Sequence, residues 1–205
     1  MKLLDEIFRM DIIKPSKYVA CRVDVNSPLN YEGKIMDTTR FHAHKQTLKW
    51  LIDNGNKVII LAHQGRPESR DFIGLEQHAE IFGNVLGTEV KFVSDIIGEK
   101  AKNAIRSLKE GQLLLLDNVR FIKDEMEKKP IEAHRDSSIV KALGKIADFF
   151  VLDGFAVSHR SHASVVGFAT AIPSAAGYLM EKEIKNILRL IERESKFAVV
   201  LGGAK

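Results

Sequence analysis

One cysteine in 205 residues, Cys21, rules out an internal disulfide and suits a reducing compartment. It stands inside the apolar run 18–25, which points to a buried structural thiol rather than a nucleophile. No apolar run approaches the roughly twenty residues that span a bilayer. The opening Met1-Lys2-Leu3-Leu4-Asp5-Glu6 breaks its apolar stretch with two acids, so the reading is of a chain without a secretory leader, expected in the cytoplasm with no membrane partner. A dominant charge is lacking as well. The 31 Lys and Arg stand against 27 Asp and Glu, a net +4 spread along the chain, without the dense basic stripe that nucleic-acid binding calls for. Several catalytic signatures are missing. No Gly-x-Gly-x-x-Gly follows a strand, no Walker P-loop is complete, and no Gly-x-Ser-x-Gly elbow occurs. His159 and His162 have metal-ligand spacing but no further ligands, so no metal is expected.

What is present is an alternation of β-rich and helical patterns, with 45% hydrophobic residues to build a core. Strands are expected at 18–25, 57–62, 90–93, 113–116 and 149–152. Helices are expected at 38–54, 75–86, 99–109 and 138–147, several of them ended by glycine. Near-continuous apolar strands such as Val58-Ile59-Ile60-Leu61 suit burial on both faces. The expected fold is therefore α/β, a three-layer Rossmann-like domain whose parallel β-sheet is covered by helices on both faces. The polar stretch 123–138 reads as a surface loop. Residues 178–193 carry a strong helical stripe: Met180, Ile184, Ile187, Leu188 and Ile191. A strand at 197–201 and the turn Gly202-Gly203-Ala204-Lys205 follow. That strand has no obvious downstream partner, and the expectation is that a second domain is missing beyond residue 205.

Five strands run into polar, mostly cationic tips, and in open parallel sheets ligands bind beyond the carboxyl ends of the strands. Asp24 and Asn26 follow the first strand, where they form either a turn with Asx hydrogen bonds or a pair suited to a hydroxylated acid. His63-Gln64-Gly65-Arg66 follows the second, with Gly65 permitting close backbone approach. Arg120 follows the strand at 113–116 and Arg160 the strand at 149–152, and Gly202-Gly203-Ala204-Lys205 ends the strand at 197–201. Arginines converging from several strands would recognise a phosphate or carboxylate, since the guanidinium fork matches both. Each could instead be a solvated loop arginine. Arg40, just inside the first helix, either reaches over the crevice or is solvated. His42 and His44 read as exposed or packed helix residues.

Seven ordered motifs in this sequence resemble those of the phosphoglycerate kinase family. They are Arg22-Val23-Asp24-Val25-Asn26-Ser27-Pro28, Asp37-Thr38-Thr39-Arg40, Ala62-His63-Gln64-Gly65-Arg66-Pro67, Leu116-Asp117-Asn118-Val119-Arg120-Phe121, Ser158-His159-Arg160-Ser161-His162-Ala163-Ser164, Pro173-Ser174-Ala175-Ala176-Gly177 and Leu201-Gly202-Gly203-Ala204-Lys205. The Asn-Ser-Pro and Ala-His-Gln-Gly-Arg forms are similar to the archaeal branch.

The resemblance implies a phosphoglycerate-binding domain at 1–173, an interdomain linker helix at 174–194 and the start of a nucleotide-binding domain at 195–205. It implies reversible phosphoryl transfer between 1,3-bisphosphoglycerate and ADP, giving 3-phosphoglycerate and ATP, with Mg-ATP or Mg-ADP bound mainly by the missing half. By position, Asp24 and Asn26 would hold the glycerate, and His63, Gly65, Arg66, Arg120 and Arg160 the non-transferring phosphate. Arg40 would face the transferring group and Lys205 would follow that group from the nucleotide side, the two being the catalytic candidates, while Gly202, Gly203 and Lys205 would bind the nucleotide. A non-catalytic, stand-alone phosphoglycerate-binding module is the alternative. Two departures from the family's usual pattern stand out: Asp117 in place of Glu, and Leu152-Asp153-Gly154-Phe155 in place of Asn-Asp-Ala-Phe.

Overall fold

The computed structural model describes residues 2–4 and 15–192 together with positions 198, 200 and 202. Seven strands form one all-parallel sheet: β1 (Lys2–Leu3), β2 (Tyr18–Arg22), β3 (Lys57–Leu61), β4 (Val90–Val93), β5 (Leu113–Leu116), β6 (Phe149–Leu152) and β7 (Ser174–Ala176). Their order is β1-β7-β6-β2-β3-β5-β4. The helices are α1 (Thr39–Asp53), α2 (Glu76–Leu86), α3 (Glu99–Arg106), α4 (Ser138–Leu143) and α5 (Tyr178–Ile191).

Side-chain alternation along the strands divides the core into two halves, because successive residues must point to opposite faces. Val19, Cys21, Val58, Ile60, Leu113, Leu115 and Val151 face one cluster, which α1 and α2 complete with Phe41, Leu48, Leu51 and Phe82. Ala20, Ile59, Leu61, Leu114, Leu116 and Phe150 face the other, completed by Ala101 and Ile105 of α3 and by Ile139, Val140 and Leu143 of α4. The three-layer α/β arrangement expected from the sequence is thus present, and Cys21 is buried. Connections after β2 and β3 turn to one face while those after β4 and β5 turn to the other. Leaving β5, the chain passes over β3 and β2 to reach β6, which opens a crevice at the carboxyl edge around β2.

Several boundaries differ from expectation. The strand expected at 18–25 stops at Arg22. Val23 N–H still reaches Leu61 O at 3.0 Å, but the Asp24 N–H is taken by a histidine of α1 instead of the ladder. Asp24 and Asn26 therefore do not share a strand face; they lie in an irregular segment above β2. The helices expected at 99–109 and 138–147 end early, at Arg106 and Leu143. In each case the chain tightens to i→i+3 bonds (Leu108 N–H to Ile105 O, Ile146 N–H to Leu143 O) to turn into the next strand. β1 and β7 were not expected, since two or three residues carry no usable periodicity, and residues 174–176 join the main sheet. The stretch 123–138 is not simply a surface loop. It contains a 3₁₀ segment, Ile131–Asp136, and buries Glu125 and His134. In α5 only Met180 is buried, while Ile187, Leu188, Leu190 and Ile191 are exposed among the described residues. The strand expected at 197–201 lies outside the described residues except for positions 198 and 200, which belong to no element.

Candidate functional site

The crevice has two ends. At the end beside α1 and α5, Asp24 is buried and its Oδ2 accepts Arg40 Nη1 at 2.5 Å. Its backbone N–H donates to His44 Nε2 at 3.0 Å, which makes that nitrogen the acceptor and leaves the proton on Nδ1, donated to Asp153 Oδ2 at 2.7 Å. Asp153 also accepts the Thr47 hydroxyl at 2.9 Å and the Leu179 N–H at 3.0 Å. Thr47 Oγ1 in turn accepts the Tyr178 N–H at 2.9 Å, so the first turn of α5 is seated on this network. Gly177 precedes that turn where a Cβ would come within 2.1 Å of Asp153 Oδ1, a space only hydrogen fits. A small cavity of about 70 Å³ lies here, lined by Asp24, Arg40, Phe155 and Leu179 among others.

Between the ends, two loops are stitched together. Asn26 Oδ1 accepts the Gly65 N–H at 2.8 Å, while Gln64 accepts the Ser27 N–H at 3.0 Å and donates to Ser27 O at 2.9 Å. Gly65 has φ +68, and a Cβ would sit 2.3 Å from Asp71 O, so both backbone conformation and space demand glycine. Asn118 donates to Gln64 O at 2.7 Å and caps the 3₁₀ turn Val119–Phe121 that carries Arg120.

The other end is cationic. Arg22, at the tip of β2, is almost fully buried, and its Nη2 donates to His63 Nδ1 at 2.9 Å, which leaves the His63 proton on Nε2. Arg120 is buried too, with Nη1 donating to Gly65 O. The Nε atoms of Arg22, Arg120 and Arg160 are all buried and have no partner among the described residues. The groups act on one another. Burial, then the fields of Arg160 and Arg22, bring the Arg120 guanidinium down to about 10. Burial, followed by Arg22, Arg120, Arg160 and His162, holds His63 far below the usual histidine range. Burial and the fields of Arg120, Arg160 and Arg22 hold His162 at about 4. Neutral imidazoles among guanidiniums can donate N–H groups to an anion without adding to the repulsion. A cluster so built is matched by an oxyanion that accepts several hydrogen bonds at once.

The structure therefore brings His63, Gly65, Arg120 and Arg160 to one place and Asp24 and Arg40 to the other, with Asn26 bridging. Arg66 is exposed beside the cluster, its N–H held by Ser69 Oγ at 2.9 Å, and its field is felt at Arg120. Gly202 is described but belongs to no element; Gly203 and Lys205 lie outside the described residues. A larger cleft of about 600 Å³ under the 29–35 hairpin, lined by Tyr31, Met36 and Arg70, holds none of the clustered cations. Of the two departures, Asp117 Oδ1 accepts the Leu75 and Asn118 N–H groups at 3.0 and 2.8 Å, a short-armed cap that a longer Glu would not reproduce. Gly154 lies where a Cβ would meet Val157 Cγ2 at 2.9 Å, so the bare backbone fits closely under the next turn.

Sequence reasoning missed Arg22, His44, Gln64, Glu125 and Asp153 as site-building residues. Arg22 had a signal, a charge inside an apolar strand, and His44 another, a polar residue three after Phe41 and four before Leu48 on the buried stripe of α1. Glu125 lies in a stretch without period and had none.

The family model for phosphoglycerate kinase matches residues 10–205. The chain is 43% identical over 196 residues to phosphoglycerate kinase of Saccharolobus solfataricus, covering 95% of this chain and 48% of that protein, and 43% identical over 201 residues to that of Pyrococcus abyssi, covering 97% and 49%. The crystal structure of phosphoglycerate kinase from Pyrococcus horikoshii superposes with a TM-score of 0.90 at 40% identity, over 96% of this chain and 47% of that one. The enzyme from Coxiella burnetii gives 0.71 at 30% identity, over 87% and 43%. The chain spans about half the length of the relatives it matches. With a match that runs from residue 10 to residue 205 and a fold that superposes on a solved member over 96% of this chain, the chain belongs to the phosphoglycerate kinase family.

Proposed function

We propose that this chain is the acid-substrate half of a phosphoglycerate kinase, binding 3-phosphoglycerate or 1,3-bisphosphoglycerate along the crevice. The observation that carries the reading is the buried group of guanidiniums with unpartnered Nε atoms and two neutral imidazoles, which needs an anion to complete it. Arg22, His63, Arg66, Arg120 and Arg160 take the non-transferring phosphate. Asp24 and the Asn26 amide take the glycerate hydroxyl, and Arg40, more than two-fifths exposed and tethered to Asp24, swings towards the transferring group. In the ATP-consuming direction the nucleophile is a carboxylate, already ionised at neutral pH, so the site needs no general base. It supplies orientation and positive charge against the repulsion of two anions. Mg-ATP or Mg-ADP is the co-substrate, which Gly202, Gly203 and Lys205 would meet from the other half. Closure of the two halves would exclude water. The described residues include no helix long and apolar enough to cross a membrane and no cluster of metal-ligating side chains.

Calorimetric titration of the chain with 3-phosphoglycerate and with glycerate tests this. The phosphorylated acid should bind weakly but measurably and glycerate should not, and the chain alone should turn over no ATP. Equal affinity for both acids would remove the phosphate from the arginine end. Steady ATP formation by the chain alone would overturn the half-enzyme reading.

A further inference from the structure

Arg120 and Arg160 arrive on two separate connections, after β5 and after β6, and one buried side chain joins those connections. Glu125 has no exposed surface. Its Oε2 accepts the Ser164 N–H at 2.9 Å, its Oε1 accepts the Ser164 hydroxyl at 2.5 Å, and its backbone carbonyl accepts the Ala163 N–H at 2.9 Å. Ser164 lies in the first part of the π-helical turn Ala163–Gly167, directly after His159-Arg160-Ser161-His162. Glu125 itself follows the Val119–Phe121 turn that holds Arg120. Among the described residues no Lys or Arg lies within ion-pair distance of its carboxylate. A buried carboxylate without an ion pair is costly unless something offsets the lost hydration. Here the two hydrogen bonds from Ser164 offset part of it, and the fields of Arg22 and Arg120 another part.

We propose that Glu125 is a positioning residue of the anion site, clamping the Arg160 loop to the Arg120 turn while its charge competes with an incoming anion for the same guanidiniums. The inference rests on reading the cluster as an anion site. Glu125 need not touch the ligand. Burial pushes its carboxyl up to about 7, against the pull of Arg22, the Ser164 bonds and Arg120. An anion among the arginines adds negative charge near this carboxyl and favours its protonated form. Binding therefore takes up a fraction of a proton, and by linkage anion affinity falls as pH rises through neutrality. The groups facing Glu125 are Arg22 from β2, Arg120 from the turn after β5 and Ser164 from the π-helical turn. Around the same cluster stand His63, His162, Arg66 and Arg160. The arginines keep their charge throughout, and both imidazoles titrate well below neutrality.

Sulfate, whose charge does not change near neutrality, is the probe. The 205-residue chain is titrated by calorimetry in two buffers of different ionisation enthalpy, at about pH 6.5 and about pH 8.5. The wild type should take up a fraction of a proton and lose roughly threefold or more in affinity between those values, the behaviour of one linked group. Glu125→Gln keeps an acceptor for the Ser164 N–H and a donor for its hydroxyl. It should fold, bind with a pH-independent affinity and take up no proton. Glu125→Ala loses the clamp and should bind roughly tenfold more weakly at about pH 6.5, where the wild-type carboxyl is largely neutral. If Glu125→Ala does not fold, the Glu125→Gln profile decides. Unchanged proton uptake in Glu125→Gln, or Glu125→Ala binding as the wild type does, overturns the proposal. A wild type that binds neither sulfate nor 3-phosphoglycerate overturns the anion site itself, whereas variants that bind like a competent wild type overturn only the role of Glu125.

Discussion

At the α5 end of the crevice, Asp24, His44, Thr47 and Asp153 satisfy one another. None of their side-chain atoms is buried without a partner. At the opposite end Arg22, Arg120 and Arg160 have Nε atoms that no described residue matches, and burial together with the neighbouring arginines lowers the proton affinity of Arg120 and of His63. The first end is finished by the fold alone. The second keeps buried donors that no described residue matches. The His44–Thr47–Asp153 network is thus structural, whereas the cationic end keeps donors free for a ligand. A change in the His44–Thr47–Asp153 network should act on folding, and a change at the cationic end on affinity.

The sharpest way to break that contrast is Asp153→Ala. It strips acceptors from His44, Thr47 and the Leu179 N–H at once, and should cost about 3–5 kcal/mol in urea unfolding. A loss within 1 kcal/mol would mean that the network is not structural.

Acid titration comes next. His78 is fully buried behind Gln64, and burial holds its ring down at about 4. The unfolded ring takes a proton near 6.5 and the folded ring only near 4, so its contribution is present above about pH 6.5 and lost as pH falls towards 4. That contribution is about 3 kcal/mol, and His63 acts with the same sign. His78→Gln should flatten the acid limb of a stability–pH curve measured by denaturant unfolding.

At the cationic end, Arg120→Ala and Arg160→Ala should each weaken 3-phosphoglycerate binding by about 1.5–3 kcal/mol, the scale of charge-assisted hydrogen bonds. Stability without ligand should barely move, because each removes repulsion along with contacts. Calorimetry paired with thermal melts reads both. Unchanged affinity in both variants would misplace the site, and a large loss of stability would erase the contrast. Arg40→Ala should spare binding more than either.

The smallest effect is ligand stabilisation. Sulfate at ten times its dissociation constant should add about 1.4 kcal/mol, seen as a raised thermal midpoint, and that gain should shrink in Arg120→Ala.

Much of this contrast was legible in the sequence, though unevenly. The longer strands and helices were readable because burial on both faces of a parallel sheet imposes unbroken apolar runs, as in Val58–Leu61 and Leu113–Leu116. The tips were readable because each follows such a run directly. β1 and β7 were not, since their pairing is decided by tertiary position and not by two or three residues of local preference. Glu125 was hidden for a related reason. Its burial depends on Ser164, 39 positions away, and nothing near it in sequence signals that partner. Asn26 was expected at the crevice, but its bond to Gly65 could be seen only once two loops had been brought together.

The pairing of β1 with β7 also bears on how the chain is made. Lys2 finds its partner Ala175, and Leu3 finds Ala176, from far-separated parts of the chain. During synthesis β1 must therefore wait for β7, roughly 170 residues or some 10–35 seconds at typical elongation rates. In that interval the rest of the sheet can close around β2, β3 and β5 while the edge of β6 stays open. A growing chain thus passes through a stage in which the nearly assembled sheet has an unpaired strand edge, the kind of surface that chaperones exist to cover. The last closure of this sheet fixes β7 directly before α5, so the seating of that helix follows completion of the sheet.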